Sequence, residues 1–219
     1  MPAARRRDKR IQLFIRREGS WASVRCWPVA ASPIVMDLDR AIRTRRSVRR
    51  FRDTPVPETL IDELLDLARH APSAMNGQPW RFLVVRDAAT KATLERIKLV
   101  HCPPEKQSYP PDFLAQAPVV VVVAVEEARA HGRAVEDAAL AAAVVLLAAH
   151  ARGLGSVYSS GTRAEDPGLE AEIQKALGLP RDVRPIAILP LGFPAESPRE
   201  KALRPLGELV GRVPGPHSD

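Results

Sequence analysis

Two cysteines, Cys26 and Cys102, are all that the chain contains. They stand apart and form no CxxC pair, so the sequence offers neither a disulfide framework nor a cysteine-based zinc site. Scarce cysteine suits a reducing compartment, and a cytoplasmic location is expected. Long apolar runs are missing too. The longest, Ala138–Ala149, has 12 residues, short of the roughly 20 that a membrane span needs. Glu136-Asp137 and His150 flank it, so it reads as a buried core helix, and no membrane association is expected. The usual chemical motifs are also absent. His70, His101, His131, His150 and His217 show no HExxH or other ligand spacing, and no metal is expected. There is no GxSxG elbow, no GxGxxG and no GxxxxGK[ST]. Glu126-Glu127 and Glu136-Asp137 read as charges at element edges. A chain with polar loops but no evident acid, base or nucleophile suits a protein whose reactivity lies in a bound cofactor. No side chain is assigned a catalytic role.

The 219 residues are enough for one sizeable domain, and 45% apolar content fits a globular one. Of the net charge of +7, residues 1–35 carry +6, from eight basic and two acidic side chains. The remainder is close to neutral, so its charge gives no argument for nucleic-acid binding. Residues 1–35 are therefore expected to be a basic extension without regular structure, and residues 36–219 the folded domain. Organised sequence begins at Met36, which is expected to be the natural start. The arginine-rich arm also has the make-up of a transit peptide or a nucleic-acid contact.

From Met36 onward the pattern is readable. "MDLDRAIRTR" predicts a short helix. "VPETLIDELLDLARHA" predicts a longer one with Leu60, Ile61, Leu64, Leu65, Leu67, Ala68 and Ala71 on one face. "RFLVVRD" reads as a strand and "AATKATLERIKLV" as a helix. "HCPPEKQSYPPDF", with four prolines, must be a loop. "PVVVVVAVE" is apolar throughout and should be a strand buried on both faces. "VEDAALAAAVVLLAAHARG" predicts a central helix, apolar nearly all round. "GSVYSS" reads as a short strand, "DPGLEAEIQKALGL" as a helix and "RPIAILPLGFP" as a strand. The tail has one short helical stretch. The fold class is α+β, a central sheet with helices around it.

Three stretches carry candidate binding groups. "RTRRSVRRF" places five arginines in nine residues. Guanidinium forks match phosphate oxygens and Ser47 adds a hydroxyl; a solvated helix C-terminus is the plain alternative. "HAPSAMNGQPW" follows a helix and presents Ser73, Asn76 and Gln78, polar groups suited to the edge of a flat heteroaromatic ring. A plain turn before a core Trp80 explains it equally. "GLGSVYSSG" offers backbone that a ligand can approach closely, and a helix C-cap at Gly153 is the alternative.

In order and spacing these pieces resemble the nitroreductase family of flavin mononucleotide (FMN) enzymes. The paired motifs RRSxRxF and APSxxNxQPW carry the likeness. "APVVVVVAV", "ARGLGSVYSSG" and "ILPLGFPAESPREKALRPLGELV" extend it over about residues 36–213. The resemblance implies a central mixed sheet flanked by helices, and a homodimer with FMN at the interface and a C-terminal tail reaching the partner. It implies that Arg45, Arg46, Ser47 and Arg49 hold the phosphate and ribityl chain, with Arg204 and Lys201 from the tail. Ser73, Asn76 and Gln78 would contact ring or substrate, largely in the other subunit. Leu154 and Gly155 would lie beside the isoalloxazine. The implied activity moves hydride from NADH or NADPH through flavin N5 to an electron-poor small molecule, a nitroaromatic or quinone, in a ping-pong cycle. A specialised member, such as a heterocycle dehydrogenase or flavin-cleaving enzyme, is the near alternative. A non-catalytic flavin-binding regulator with a nucleic-acid-contacting arm is the distant one. The Pro-rich segment and Tyr158 leave the acceptor open.

Overall fold

The computed structural model describes residues 13–17, 20–24, 36–104 and 112–213. It divides into two units, residues 1–35 and 36–219. In the first unit, β1 (Leu13–Arg17) and β2 (Ser20–Val24) pair antiparallel, so two paired strands stand in a segment expected to lack regular structure.

The second unit is built on β4 (Val119–Glu126), seven of whose eight residues are buried. β3 (Trp80–Val85) pairs with one edge of β4, and β7 (Val183–Gly192) with the other. Two short strands, β5 (Gly155–Ser156) and β6 (Ser159–Ser160), pair with the far edge of β7. All these ladders are antiparallel. The expected mixed character is confined to one isolated parallel bridge, Ser47 to Ser156.

Strand geometry sends alternate side chains to opposite faces, and β4 serves two cores in this way. Val119, Val121, Val123 and Val125 join one cluster with α2 (Glu58–Ala68) and α5 (Ala134–Ala151). Val120 and Val122 join the other with α3 (Ala88–Val100), α4 (Phe113–Gln116) and α6 (Pro167–Ala176). The sheet is thus covered on both sides, the reason this strand is apolar at every position. Trp80 packs against the first cluster, as expected of a core residue. A short helix, α1 (Leu38–Thr44), is capped by Asp37, whose Oδ1 accepts from Arg40 N at 2.9 Å.

Two expectations shift. On α2, Leu67 is 37% exposed while Ile61, Leu64 and Ala68 are buried, so the apolar face is narrower than the sequence suggests. α5 is long and apolar enough to cross a membrane by length and composition. Here it lies on the sheet with Ala138, Ala141, Ala142 and Val145 buried. Its opposite face, Val135, Ala139, Leu140 and Ala143, is exposed. Of the Pro-rich loop, residues 105–111 lie outside the described residues.

"GSVYSS" forms two strands instead of one. The register continues unbroken across the gap, Ser156 opposite Leu191 and Ser159 opposite Ile188. That places Val157 opposite Pro190, which has no N–H to offer a ladder. The backbone of Val157 and Tyr158 is left out of the strand pairing.

A charged clasp joins the end of α3 to the start of α6. His101 Nδ1 lies 2.7 Å from Asp166 Oδ2, and Nε2 lies 3.3 Å from Glu172 Oε1. Arg163 Nη1 donates to His101 O at 2.9 Å and stands 3.9 Å from Asp166 Oδ2. Burial works to lower the His101 pKa, but the two carboxylates outweigh it and the net shift is upward. A raised folded-state value means the contribution is complete below the unfolded value of 6.5 and is lost as pH rises through the folded one. The melting-temperature gap between wild type and His101→Gln should therefore be widest below pH 6.5 and close at alkaline pH. A gap that stays constant across a pH series of thermal melts would show that the clasp does not titrate.

Candidate functional site

The arginine segment leaves α1 and is tied to the sheet through its backbone. Val48 N donates to Ser156 O at 3.0 Å beside the Ser47–Ser156 bridge. A Cβ on Gly155 would lie 2.6 Å from Val48 Cγ1, so only glycine lets this side chain come so close. Glu196 Oε1 accepts from Arg49 N at 2.5 Å and Arg50 N at 3.1 Å. Beyond it, Arg52 N donates to Phe193 O at 2.8 Å.

These ties hold guanidinium groups where their charges concentrate. Arg46 Nη1 donates to Arg43 O at 2.8 Å and Arg45 O at 2.9 Å, satisfying carbonyls at the end of α1. Its Nε is buried with no hydrogen-bond partner among the described residues. Arg46 thus fills the plain helix-end role through Nη1 alone. With Arg43, Lys201, Asp39, Ile42 and Leu203 it lines a pocket of about 370 Å³. His150 Nε2 lies 2.8 Å from Thr44 Oγ1. Its pKa is pushed down by burial first, then by the charges of Arg45 and Arg46. The imidazole therefore registers the positive field of this corner.

Arg49 faces elsewhere. Its guanidinium carbon sits 6.0 Å from the Phe113 ring centroid. It lines a second cavity, of about 510 Å³, together with Lys98, Arg163 and the segment Val157–Ser160. Val157 and Tyr158, the residues released from the ladder opposite Pro190, thus border a cavity. Burial alone pushes the Tyr158 hydroxyl upward in pKa.

The loop from Ser73 to Gln78 is strained and braced. Met75, Asn76 and Gln78 have φ of 50°, 55° and 46°, conformations that cost non-glycine residues free energy and persist only where surroundings hold them. Ser73 Oγ accepts from Gln78 N at 3.0 Å, and Arg129 Nε donates to Gly77 O at 3.1 Å. A Cβ on Gly77 would lie 2.0 Å from Arg129 O. Asp137 Oδ1 accepts from Ala74 N at 3.0 Å. Asp137 is 2% exposed, not an edge charge as the sequence suggests, and its Oδ2 has no hydrogen-bond partner among the described residues.

Asp137 and His150 stand at opposite ends of α5. At 1.5 Å rise per residue they are about 20 Å apart. One chain therefore does not bring the Ser73–Gln78 loop to its own arginine segment. Arg46 and Lys201 meet; Ser47 and Gly155 meet through Val48 and Ser156; Arg49 belongs to the neighbouring cavity. Leu154 is buried behind Gly155. Arg204 pairs with Glu208 at 3.2 Å within the tail and does not line the Arg46 pocket. Asp137, Glu196 and His150 were not picked out from the sequence. Their partners are 63, 147 and 106 residues away, so no local pattern marks them.

Known proteins resemble this arrangement over most of its length. Residues 42–193 match the family model described as "Nitroreductase family", from within α1 to the end of β7. A Methanothermobacter thermautotrophicus protein provisionally named NADH dehydrogenase/NAD(P)H nitroreductase is 39% identical over 170 residues, 77% of this chain and 83% of that protein. The iodotyrosine deiodinase of Thermotoga neapolitana is 32% identical over 185 residues, covering 78% of this chain and 94% of its own. Among solved structures, an FMN-dependent nitroreductase of Clostridium difficile superposes with a TM-score of 0.64 at 26% identity, over 74% of this chain and 90% of that one. The match takes in the arginine segment, the braced loop, the glycine turn and every strand of the sheet, and by it the chain belongs to the nitroreductase family.

Proposed function

We propose that this chain is an FMN-dependent oxidoreductase that takes hydride from NADH or NADPH and passes it to an electron-poor small molecule, a nitroaromatic or a quinone, in alternating half-reactions. The observation that carries this reading is the Arg46 pocket. Two guanidinium-bearing side chains, Arg43 and Arg46, line it with Lys201, and Asp39 is the one acid among its described lining residues. A phosphate monoester, near −2 in charge and rich in acceptor oxygens, suits that donor set. The FMN-dependent Clostridium difficile relative supports the choice of flavin.

Arg43, Arg46 and Lys201 would hold the phosphate, with Arg45 and Ser47 beside it and Arg204 joining once the tail rearranges. Arg49, Leu154–Gly155 and Val157–Ser160 would border the ring. When bound, FMN supplies the hydride-carrying centre that the side chains lack. The chain's part is to fix position, to present backbone N–H and C=O groups at the ladder gap, and to keep water from the apolar side of the cavity.

The 20 Å separation along α5 supports a homodimer. If Ser73, Asn76 and Gln78 touch the same ligand as the arginines, they come from a second copy. The exposed face of α5 offers Val135 and Leu140 for that contact, and the tail offers Leu203, Leu206 and Val213.

Purified protein supplied with FMN should show flavin absorbance that bleaches when NADH or NADPH is added without oxygen. A protein that stays colourless in excess FMN would overturn the reading. Arg45→Ala combined with Arg46→Ala should release the flavin from a protein that remains a folded dimer by circular dichroism and gel filtration; retention of full occupancy would remove the phosphate assignment. Gly155→Ala should push Val48 away and cost roughly 1–3 kcal/mol of stability, as overpacking does. Its FMN dissociation constant should rise with it, measured by fluorescence titration.

A further inference from the structure

We infer that Asp137 and Arg129 are positioning residues, which hold the loop Ser73–Gln78 in the shape it needs at the flavin site of a second copy of the chain. This adds residues to the site proposed above and rests on that reading.

The loop runs from the end of α2 into β3. The pairing of β3 with β4 closes where Glu126 N donates to Pro79 O at 2.8 Å. Beyond that point the two segments part, and the stretch from the end of β4 into α5 supplies both ties. Arg129 Nε donates to Gly77 O, and a Cβ on Gly77 would collide with the Arg129 carbonyl oxygen. Asp137 Oδ1 accepts from Ala74 N, one residue before the left-handed Met75. The ties therefore grip the loop on either side of Met75 and Asn76. Asp137 is buried in the first turn of α5, where the end of a helix favours a carboxylate.

Met75, Asn76 and Gln78 are left-handed and exposed, Met75 to 86%. Left-handed backbone costs a non-glycine residue free energy, and burial of these side chains in their own chain does not offset it. A strained loop held with its side chains outward is organised in advance for contact outside its own chain. The length of α5 keeps that contact from being the same chain's arginine segment. Asp137 thus acts at a distance: it fixes Ala74, which sets where Asn76 and Gln78 stand against the second copy.

The test uses the flavin-loaded protein with menadione as acceptor. Asp137→Ala should keep full FMN occupancy, since the Arg46 pocket is untouched. Its KM for menadione should rise roughly three- to tenfold, the scale of one hydrogen bond. Asp137→Asn keeps an acceptor for Ala74 N and should restore a near-wild-type KM; an Asn protein no better than the Ala one would overturn the inference. Arg129→Met, an exposed change, should also raise KM, and it serves if circular dichroism shows that Asp137→Ala does not fold. Mixed dimers pairing Asp137→Ala with a chain carrying both Arg45→Ala and Arg46→Ala, isolated through two different tags, decide which copy the loop serves. Their one flavin is held by the Asp137→Ala chain and faces the intact loop of the other, so KM should return to the wild-type value. A KM that stays raised would confine the loop to its own chain and overturn the inference. Either single variant unchanged in KM, in a protein that is yellow and reduced by NAD(P)H, would do so too while leaving the flavin reading intact. Wild-type protein that stays colourless in excess FMN would remove the flavin reading and this inference with it.

Discussion

The hydrogen bond from Val48 N to Ser156 O is the contact on which the rest of the site depends. Five guanidinium groups within nine residues repel one another, and left to themselves would spread into water. Their proximity must be imposed by something other than their own interactions. The backbone does this: the bridge at Ser47, the Val48 bond, and the Glu196 carboxylate across the N–H groups of Arg49 and Arg50. Side-chain charge is thus held by two main-chain ties and one carboxylate that accepts from main-chain N–H groups. His150 beside it has its pKa pushed down, by burial first and then by the charges of Arg45 and Arg46.

β7 organises both pockets from one edge. Near its C-terminal end it holds β5, and through Ser156 the arginine segment. A few residues earlier it holds β6. Between them Pro190 faces the break where Val157 and Tyr158 turn to the cavity. A strand missing one donor therefore makes room for ligand-facing backbone without ending the sheet. α5 crosses the same sheet and fixes the spacing of its two ends, one braced against the strained loop through Asp137 and one against Thr44 through His150.

What could be read from the sequence was what neighbours along the chain determine. β4 announces itself by six valines among its eight residues, and α3 spans the residues its pattern marks, from Ala88 to Val100 with Asp87 as cap. The arginine segment and the polar loop were visible as compositional outliers. Contacts set by distant partners were not visible. The break in "GSVYSS" is decided by a proline 33 residues further on. Asp137 looks like any acid in the first turn of a helix, and only packing against Ala74 shows that it is buried. The sheet reads as mixed by family likeness, yet among the described residues its one parallel element is a single bridge. Arg204, matched by position, spends its charge on Glu208.

The division of labour among the arginines follows from what each is already doing. Arg46 has its Nη1 on two helix-end carbonyls, which leaves the Nε and Nη2 donors outside that cap. Its orientation is fixed before any ligand arrives, so little rotamer entropy remains to be lost on binding. Arg49 is clamped at its backbone, and its tip rests over the Phe113 ring without a hydrogen-bonded clamp among the described residues. It can follow a ligand in the cavity, at greater entropic cost. Arg163 is intermediate, tethered through one nitrogen to His101 O. A rigid donor set suits a group that stays bound through every turnover, and a looser one suits a molecule that must leave. The structure puts the rigid set in the Arg46 pocket and the looser set beside Tyr158. That is the order expected if the first holds a resident phosphate and the second exchanges substrates.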